Sequence, residues 1–277
     1  MSDFLKKQIF KSDSNNIQSN ASIRLKTNAC VVIGSDNEQK LLFIDEVKCL
    51  KSDAKIADLL SFLKSEYSFL NSSASISTKI IYPNCYYTLV PKMYFDENHL
   101  KSYFLHAINK KDRNEFDYSF SELSYEMMCV NANEKSYLND LKNSLSNAKL
   151  FSETESMIKV CTDDFLSRIE DDKTYLYLYF SDSKCDILLF VEGKLLIANR
   201  ISFNSIENFI YHILNTLQQS GQFAEQTEVI LLGEIDKQST IVLGLSRYFQ
   251  RIHFLSNQRN NELEETSYNY ALETFLL

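Results

Sequence analysis

The chain has 277 residues, 44% of them hydrophobic and 13% aromatic, enough for two domains with sizeable cores, so global disorder is excluded. Its formal net charge is −8 and no run of Lys and Arg breaks the acidic balance, which argues against a partner of nucleic-acid type. The longest apolar runs, LYLYF and DILLFV, fall far short of the ~20 residues that span a bilayer, and the opening MSDFLKKQIFKSDSNNIQSN lacks the apolar segment of a signal peptide, so a cytoplasmic location with no transmembrane segment is expected.

The first twenty residues are polar and are expected to form a flexible arm. ASIRL, a turn at Lys26-Thr27-Asn28, CVVIG and KLLFIDEVKCL then read as three strands. Ile56, Leu59, Leu60, Leu63, Tyr67 and Leu70 recur at helical spacing behind Ser52 as N-cap. ISTKIIY reads as a strand ended by Pro83, YYTLVP as a short strand, DENHLKSYFLHAI as a helix, and DYSFSEL and YEMMCVNA as paired strands. Two helices follow, one marked by Tyr137, Leu138, Leu141 and Leu145, the other by Met157, Ile158, Cys161, Phe165, Leu166 and Ile169. The acidic EDDK from Glu170 marks a domain boundary, giving a first half over 21–170 and a second over 171–277.

The second half repeats the order of the first. YLYLYF, CDILLFV and KLLIANRISF are three strands joined by turns at Ser181-Asp182-Ser183-Lys184 and Glu192-Gly193. Ile206, Phe209, Ile210, Ile213, Leu214 and Leu217 lie on one face of a helix, with Asn204 and Glu207 in capping-box spacing and Gly221 as its stop. TEVILLGEI is the next strand, followed by a helix near Thr240–Tyr248, the strand IHFL and a terminal helix ending in Phe275-Leu276-Leu277.

A βββαβ order repeated at a nearly constant offset implies an internal duplication. Two such halves form the plan of the actin-like, ribonuclease H-like fold, a mixed α/β (α+β) architecture with a cleft between the halves. The segments YYTLVP (86–91), LLIANRISF (195–203), ENFIYHIL (207–214) and LLGEI (231–235) resemble the recurring segments of DUF3822, a family of uncharacterised Bacteroidota proteins. That resemblance covers nearly the whole chain from about residue 20. It implies an actin-like ATPase fold akin in shape to pilus and secretion proteins of the PilM and GspL type, and it implies no established activity.

An actin-like ATPase grips its nucleotide with two β-hairpin turns, one opening each half, in which Gly lets backbone amides approach the phosphates and Asp orients metal-bound water. Here the turns read KTNA and SDSK, without Gly, and the first has no carboxylate. Asp182 is the one residue of the expected type, with Lys184 as a phosphate partner, and Gly233 in LLGEI is the single glycine at the adenosine position, followed by Glu234. The chain holds five glycines, against an average usage of about 7%. The expectation is therefore a chain that is not an enzyme, with no catalytic residue, no cofactor and no metal, acting as a scaffold for another protein. The competing reading is a divergent ATPase or kinase binding ATP with Mg²⁺ through Asp182, Lys184 and Gly233.

Other residue groups point to structure. Cys30, Cys49, Cys85, Cys129, Cys161 and Cys185 lie far apart with no CxxC pair and read as buried, reduced thiols. His99 and His106 are too widely spaced for a metal pair on one helix. The sixteen tyrosines concentrate in strands, where cross-strand packing explains them, with Tyr82, Tyr86 and Tyr87 as candidates to line a cleft.

Overall fold

The computed structural model describes residues 3–12, 18–51, 55–71, 76–124, 126–168, 173–181 and 184–255. The chain divides into two compact units, the first running to Ser156 and the second beginning at Met157. The boundary falls inside a helix, whereas the acidic composition of Glu170–Lys173 had placed it after that helix; residues 169–172 lie outside the described residues.

In the first unit, β1 (Phe4–Lys11), β2 (Asn20–Leu25), β3 (Ala29–Ser35), β4 (Leu41–Cys49), β5 (Ser77–Tyr82) and β9 (Lys149–Ser152) form one sheet in the order β1-β4-β3-β2-β5-β9. The pairs from β1 to β2 are antiparallel, and β2–β5 and β5–β9 are parallel. Helices α1 (Ile56–Glu66) and α2 (Lys135–Ser144) cover one face, where Leu59, Leu60, Leu63, Leu138 and Leu141 meet Ile23, Val32, Val47 and Ile80.

The second unit contains β10 (Thr174–Ser181), β11 (Lys184–Val191), β12 (Lys194–Ser202), β13 (Thr227–Gly233) and β14 (Arg251–Phe254), in the order β12-β11-β10-β13-β14. Its first two pairings are antiparallel and its last two parallel, the same pattern as β4-β3-β2-β5-β9. Helix α4 (Ile206–Gln219) follows β12 as α1 follows β4, and α5 (Thr240–Leu245) precedes β14 as α2 precedes β9. The duplication is thus in the hydrogen-bond topology. α1 and α4 begin at Ile56 and Ile206, β5 and β13 at Ser77 and Thr227, an offset of 150 in both cases.

The offset breaks after β5 because the first unit carries an insertion. There β6 (Tyr86–Pro91), β7 (Phe116–Leu123) and β8 (Met127–Glu134) form a separate antiparallel sheet in the order β6-β8-β7. Its apolar face, with Val90, Val130 and Ala132, is covered by Phe104 and Ile108.

Strand β10 shows why tyrosines crowd this segment. All seven residues from Thr174 to Phe180 are buried, because both faces of the strand are covered. Leu176, Leu178 and Phe180 face α4 through Phe209 and Ile213. On the opposite face Tyr175 and Phe190 pack on Phe165 of α3 (Glu153–Arg168), and the Tyr177 hydroxyl donates to the Asp164 carboxylate at 2.7 Å. A tyrosine fills such a position because its ring is apolar while its hydroxyl reaches a partner at the rim.

Four expectations change. Residues 4–11 are a strand rather than a flexible arm: Phe4 stacks on Phe62 at 4.9 Å, Lys6 bridges to Asp45 at 3.2 Å, and β4 supplies the ladder. Of the remaining residues of that arm, 1–2 and 13–17 lie outside the described residues, and Asn20 opens β2. The segment read as a helix from Asp96 is a 3₁₀ helix, Glu97–Phe104, with a non-helical His99 (φ −119°), capped by the Asp96 side chain. The N-cap of α4 is Ser205, which accepts from the Asn208 amide, rather than Asn204. Strand β9 was not read at all, being four residues long with no polar–apolar alternation. Ser52 and the terminal helix ending at Leu277 lie outside the described residues.

Candidate functional site

The carboxyl ends of parallel strands are where open α/β sheets usually bind ligands, so the hairpins and polar residues at those ends are the place to look. In the first unit the β2–β3 turn is closed on itself. Lys26 N–H donates to the Ala29 carbonyl at 2.9 Å, and the Asn28 carbonyl accepts from the Cys49 amide of β4 at 2.8 Å. The sequence puts no carboxylate here and no glycine to expose backbone amides.

In the second unit β10 and β11 form a hairpin in which Ser181 faces Lys184 across two connecting residues. Those two, Asp182 and Ser183, lie outside the described residues. Gly233 pairs with Phe180 in the parallel ladder, so Gly233 and the hairpin carrying Lys184 lie at the same end of the sheet. Gly233 has φ +86°, and a Cβ placed there would collide with the Phe180 carbonyl oxygen. That oxygen accepts from the Glu234 amide at 2.8 Å. The glycine is therefore required by the splice between β10 and β13 itself, whatever else occupies that edge. The Glu192-Gly193 turn, with φ +48° and +77°, is the two-residue type that matches strand twist.

A second group lies at the carboxyl ends of β2, β5 and β9 and was missed from sequence. Arg24, with no exposed surface, donates through Nε and Nη2 to Glu153 Oε1 at 3.1 and 2.9 Å. Beside it, Asn84 Oδ1 accepts from the Ser152 hydroxyl at 2.9 Å and the Thr154 amide at 3.2 Å, and Asn84 Nδ2 donates to Asn131. Asn131 Nδ2 and the Ser121 hydroxyl both donate to Glu155 Oε1 at 2.7 Å. Burial pushes the Glu155 carboxyl above its ordinary range, with the hydrogen bonds from Ser121 and Asn131 acting in the opposite direction.

The same region holds two phenols. Tyr82, last residue of β5, is pushed up to about 12 by burial and by the fields of Glu155 and Cys129. Tyr137, at the start of α2, is raised by burial and by the fields of Cys85, Glu153 and Tyr82. The signal was present in the sequence: Arg24 interrupts an apolar strand, and Asn131 and Asn133 alternate with Val130 and Ala132 inside another. Polar side chains at period two in a strand otherwise fit for burial mark a face that is buried and hydrogen-bonded.

The second unit has a simpler buried pair. Asp186 of β11 faces Arg200 of β12, whose Nε and Nη2 reach its two carboxylate oxygens at 2.9 and 3.0 Å. Of the histidines, His99 contacts Asp96 at 2.7 Å and His106 lies beyond the 3₁₀ helix that carries His99. Among the described residues no group of three or more His, Cys, Asp and Glu side chains is placed to hold a metal ion. Four cysteines are buried, Cys49 is half-buried and Cys85 exposed, and none forms a disulfide. Among the described residues no helix is long and apolar enough to cross a membrane.

The family described as protein of unknown function DUF3822 matches residues 10–252. No functionally curated protein matches the chain. Among solved structures, a Bacteroides thetaiotaomicron protein with an actin-like ATPase fold and unknown function is similar at a TM-score of 0.73 and 21% identity, over 93% of this chain and 95% of that one. A PilM–PilN type IV pilus biogenesis complex contains a chain similar at a TM-score of 0.64 and 12% identity, over 93% and 98% respectively. At these identities the likeness establishes the fold, which is the actin-like ATPase fold.

Proposed function

The chain belongs to the DUF3822 family, and on that premise we propose that it is a non-catalytic member of the actin-like fold that serves as a binding module for another protein. The observation that carries the reading is the state of Gly233. The one glycine available to an adenosine site is already required by the backbone of β10, and the first-unit turn has its Lys26 amide and Asn28 carbonyl committed internally. A fold that keeps its two sheets and cores while its phosphate turns lack glycine retains shape and surface.

A protein-binding role has support from the neighbour of known assembly: a chain of this fold is part of the PilM–PilN complex. That is analogy at the level of fold, a weak warrant for any particular partner. A cytoplasmic location belongs to the same reading. The test is phosphate release from ATP in the presence of Mg²⁺ by the purified chain. The reading predicts a rate equal to that of the Asp182→Ala variant; turnover that depends on Asp182 would make the competing reading, a divergent ATPase or kinase, the correct one.

A further inference from the structure

The duplicated halves differ at one sheet edge. β4 and β12 are the third strands of matching antiparallel runs, and Val47, opposite Cys30, corresponds to Ile201, opposite Cys185. In the first unit the outer side of β4 carries β1, antiparallel to it. In the second unit β12 ends the sheet, and among the described residues no strand pairs with its outer side. Native sheets blunt such edges by keeping them short, charged or proline-bearing. β9 and β14 have four residues each, and β6 ends in Pro91. β12 has nine residues, with Leu195–Asn199 uncharged, Leu196 54% exposed, and Asn199 and Ser202 exposed as well.

The ladder fixes which backbone groups that edge presents. Ser181 and Lys184 close a two-residue connection, so their pair exchanges ladder bonds; alternating from there, Cys185, Ile187 and Leu189 turn toward β12 and meet Ile201, Asn199 and Ile197. Ala198 and Arg200 therefore turn their N–H and C=O outward, and the Arg200 N–H is met there by Oδ1 of Asn199 at 2.9 Å. A register shift between Leu189 and Phe190 leaves Ile197–Ser202 as the regular stretch.

Comparison with β1 narrows what fits against that stretch. Lys6 of β1 is held by Asp45 at 3.2 Å and Glu66 at 3.7 Å. The corresponding positions of the second unit are Asn199, opposite Ile187 as Asp45 is opposite Val32, and Thr216, at the helical offset of 150. Neither carries a charge, so a basic strand like β1 finds no counter-ion and an uncharged strand fits better. The one charge in the stretch, Arg200, is already matched by Asp186.

We infer that the outer edge of β12 is a self-association site, at which β12 of a second copy adds antiparallel across a two-fold axis at Asn199. That register sets Ile197 opposite Ile201 of the second copy, Ala198 opposite Arg200, and Asn199 opposite Asn199, with no like charges directly opposed. Ile197 and Ile201 both pack on the core beneath α4, so their pairing extends an apolar face. Ala198 and Arg200, whose backbone groups point outward, exchange the new ladder bonds, and the short alanine leaves room beside the guanidinium that Asp186 holds. The inference goes beyond the binding-module reading, which concerns a different protein.

The test is sedimentation equilibrium of the purified full chain and its variants. The parent is expected to show a monomer–dimer equilibrium with a Kd of roughly micromolar order. Asn199→Asp and Asn199→Lys each set like charges face to face across the axis and should weaken the dimer at least about tenfold. Mixed in equal amounts, the two variants oppose unlike charges and should dimerise as tightly as the parent. Asn199 is exposed, so neither substitution disturbs the core. Ala198→Pro removes an N–H that β11 does not use and should abolish the dimer by a separate route. A parent that stays monomeric at millimolar concentration, or a dimer that none of these substitutions weakens, would overturn the inference and leave the binding-module reading intact. Loss of the dimer in both Asn199 variants without recovery in the mixture would overturn it too, because the axis would then lie elsewhere.

Discussion

Replacing Gly233 by alanine puts a methyl group where the Phe180 carbonyl oxygen already stands, at a backbone angle of φ +86°. The left-handed conformation alone costs a non-glycine residue roughly 1–2 kcal/mol. Relief of the collision requires β13 to move away from β10, weakening the Glu234 amide bond to Phe180, now 2.8 Å, a bond whose net worth is about 1 kcal/mol. The expected loss is about 3 kcal/mol, which for a unit of this size lowers Tm by about 9 °C. Gly193→Ala is the internal control, because Gly193 has a similar φ of +77° but nothing within 4 Å of the added Cβ, so about 1 kcal/mol is expected. Urea denaturation of both variants and the parent, with the same change in slope required of each, gives the comparison. If Gly233→Ala costs no more than Gly193→Ala, the β10–β13 packing does not need the glycine and the reason for assigning it a structural role is gone.

Three further outcomes follow from the buried polar groups. Arg24→Met leaves Glu153 buried without its cation and should cost about 3–5 kcal/mol, whereas Arg24→Met with Glu153→Met should recover most of that loss; equal stability of single and double variants in urea would contradict the pairing. Glu155 has a carboxyl raised in the folded state, so the native chain holds its proton more tightly than the unfolded one, and stability contributed by this group falls as pH rises from the unfolded value through the raised one. Glu155→Gln keeps an oxygen for both Ser121 and Asn131, so it should be more favourable relative to the parent at pH 7 than at pH 4, measured by denaturation at each pH; a difference independent of pH would refute the assignment. Ile213→Ala, in the core between α4 and the second sheet, should cost about 2–5 kcal/mol, and a loss below 1 kcal/mol would mean that this face is not packed as described.

The duplication was legible because it is written in two strong signals, period-two apolar runs and the helical stripe of Ile206, Phe209, Ile210, Ile213 and Leu217, and each of those elements exists. The missed elements share a cause. β9 is a short parallel edge strand whose hydrogen bonds come from β5, far away in sequence, so local pattern carries little of it. β1 reads as polar because Lys6, Lys7 and Lys11 sit on a sheet edge, where charge keeps other strands from adding, while Phe4 packs on the core. The candidate site divided in the same way. The glycine-poor turns could be read directly, since a missing residue type needs no geometry. That Gly233 is claimed by Phe180, and that Arg24, Asn84, Asn131, Asn133 and Glu155 converge, depends on strand order and therefore on contacts between residues as much as 129 positions apart.

The measurement that bears most directly on the central claim is calorimetric titration of the purified chain with ATP and Mg²⁺, with Asp182→Ala beside it. The account predicts no heat of binding up to millimolar nucleotide for either protein. Micromolar binding by the parent that is lost in the variant would contradict it, and would make the β10–β11 hairpin a working phosphate site.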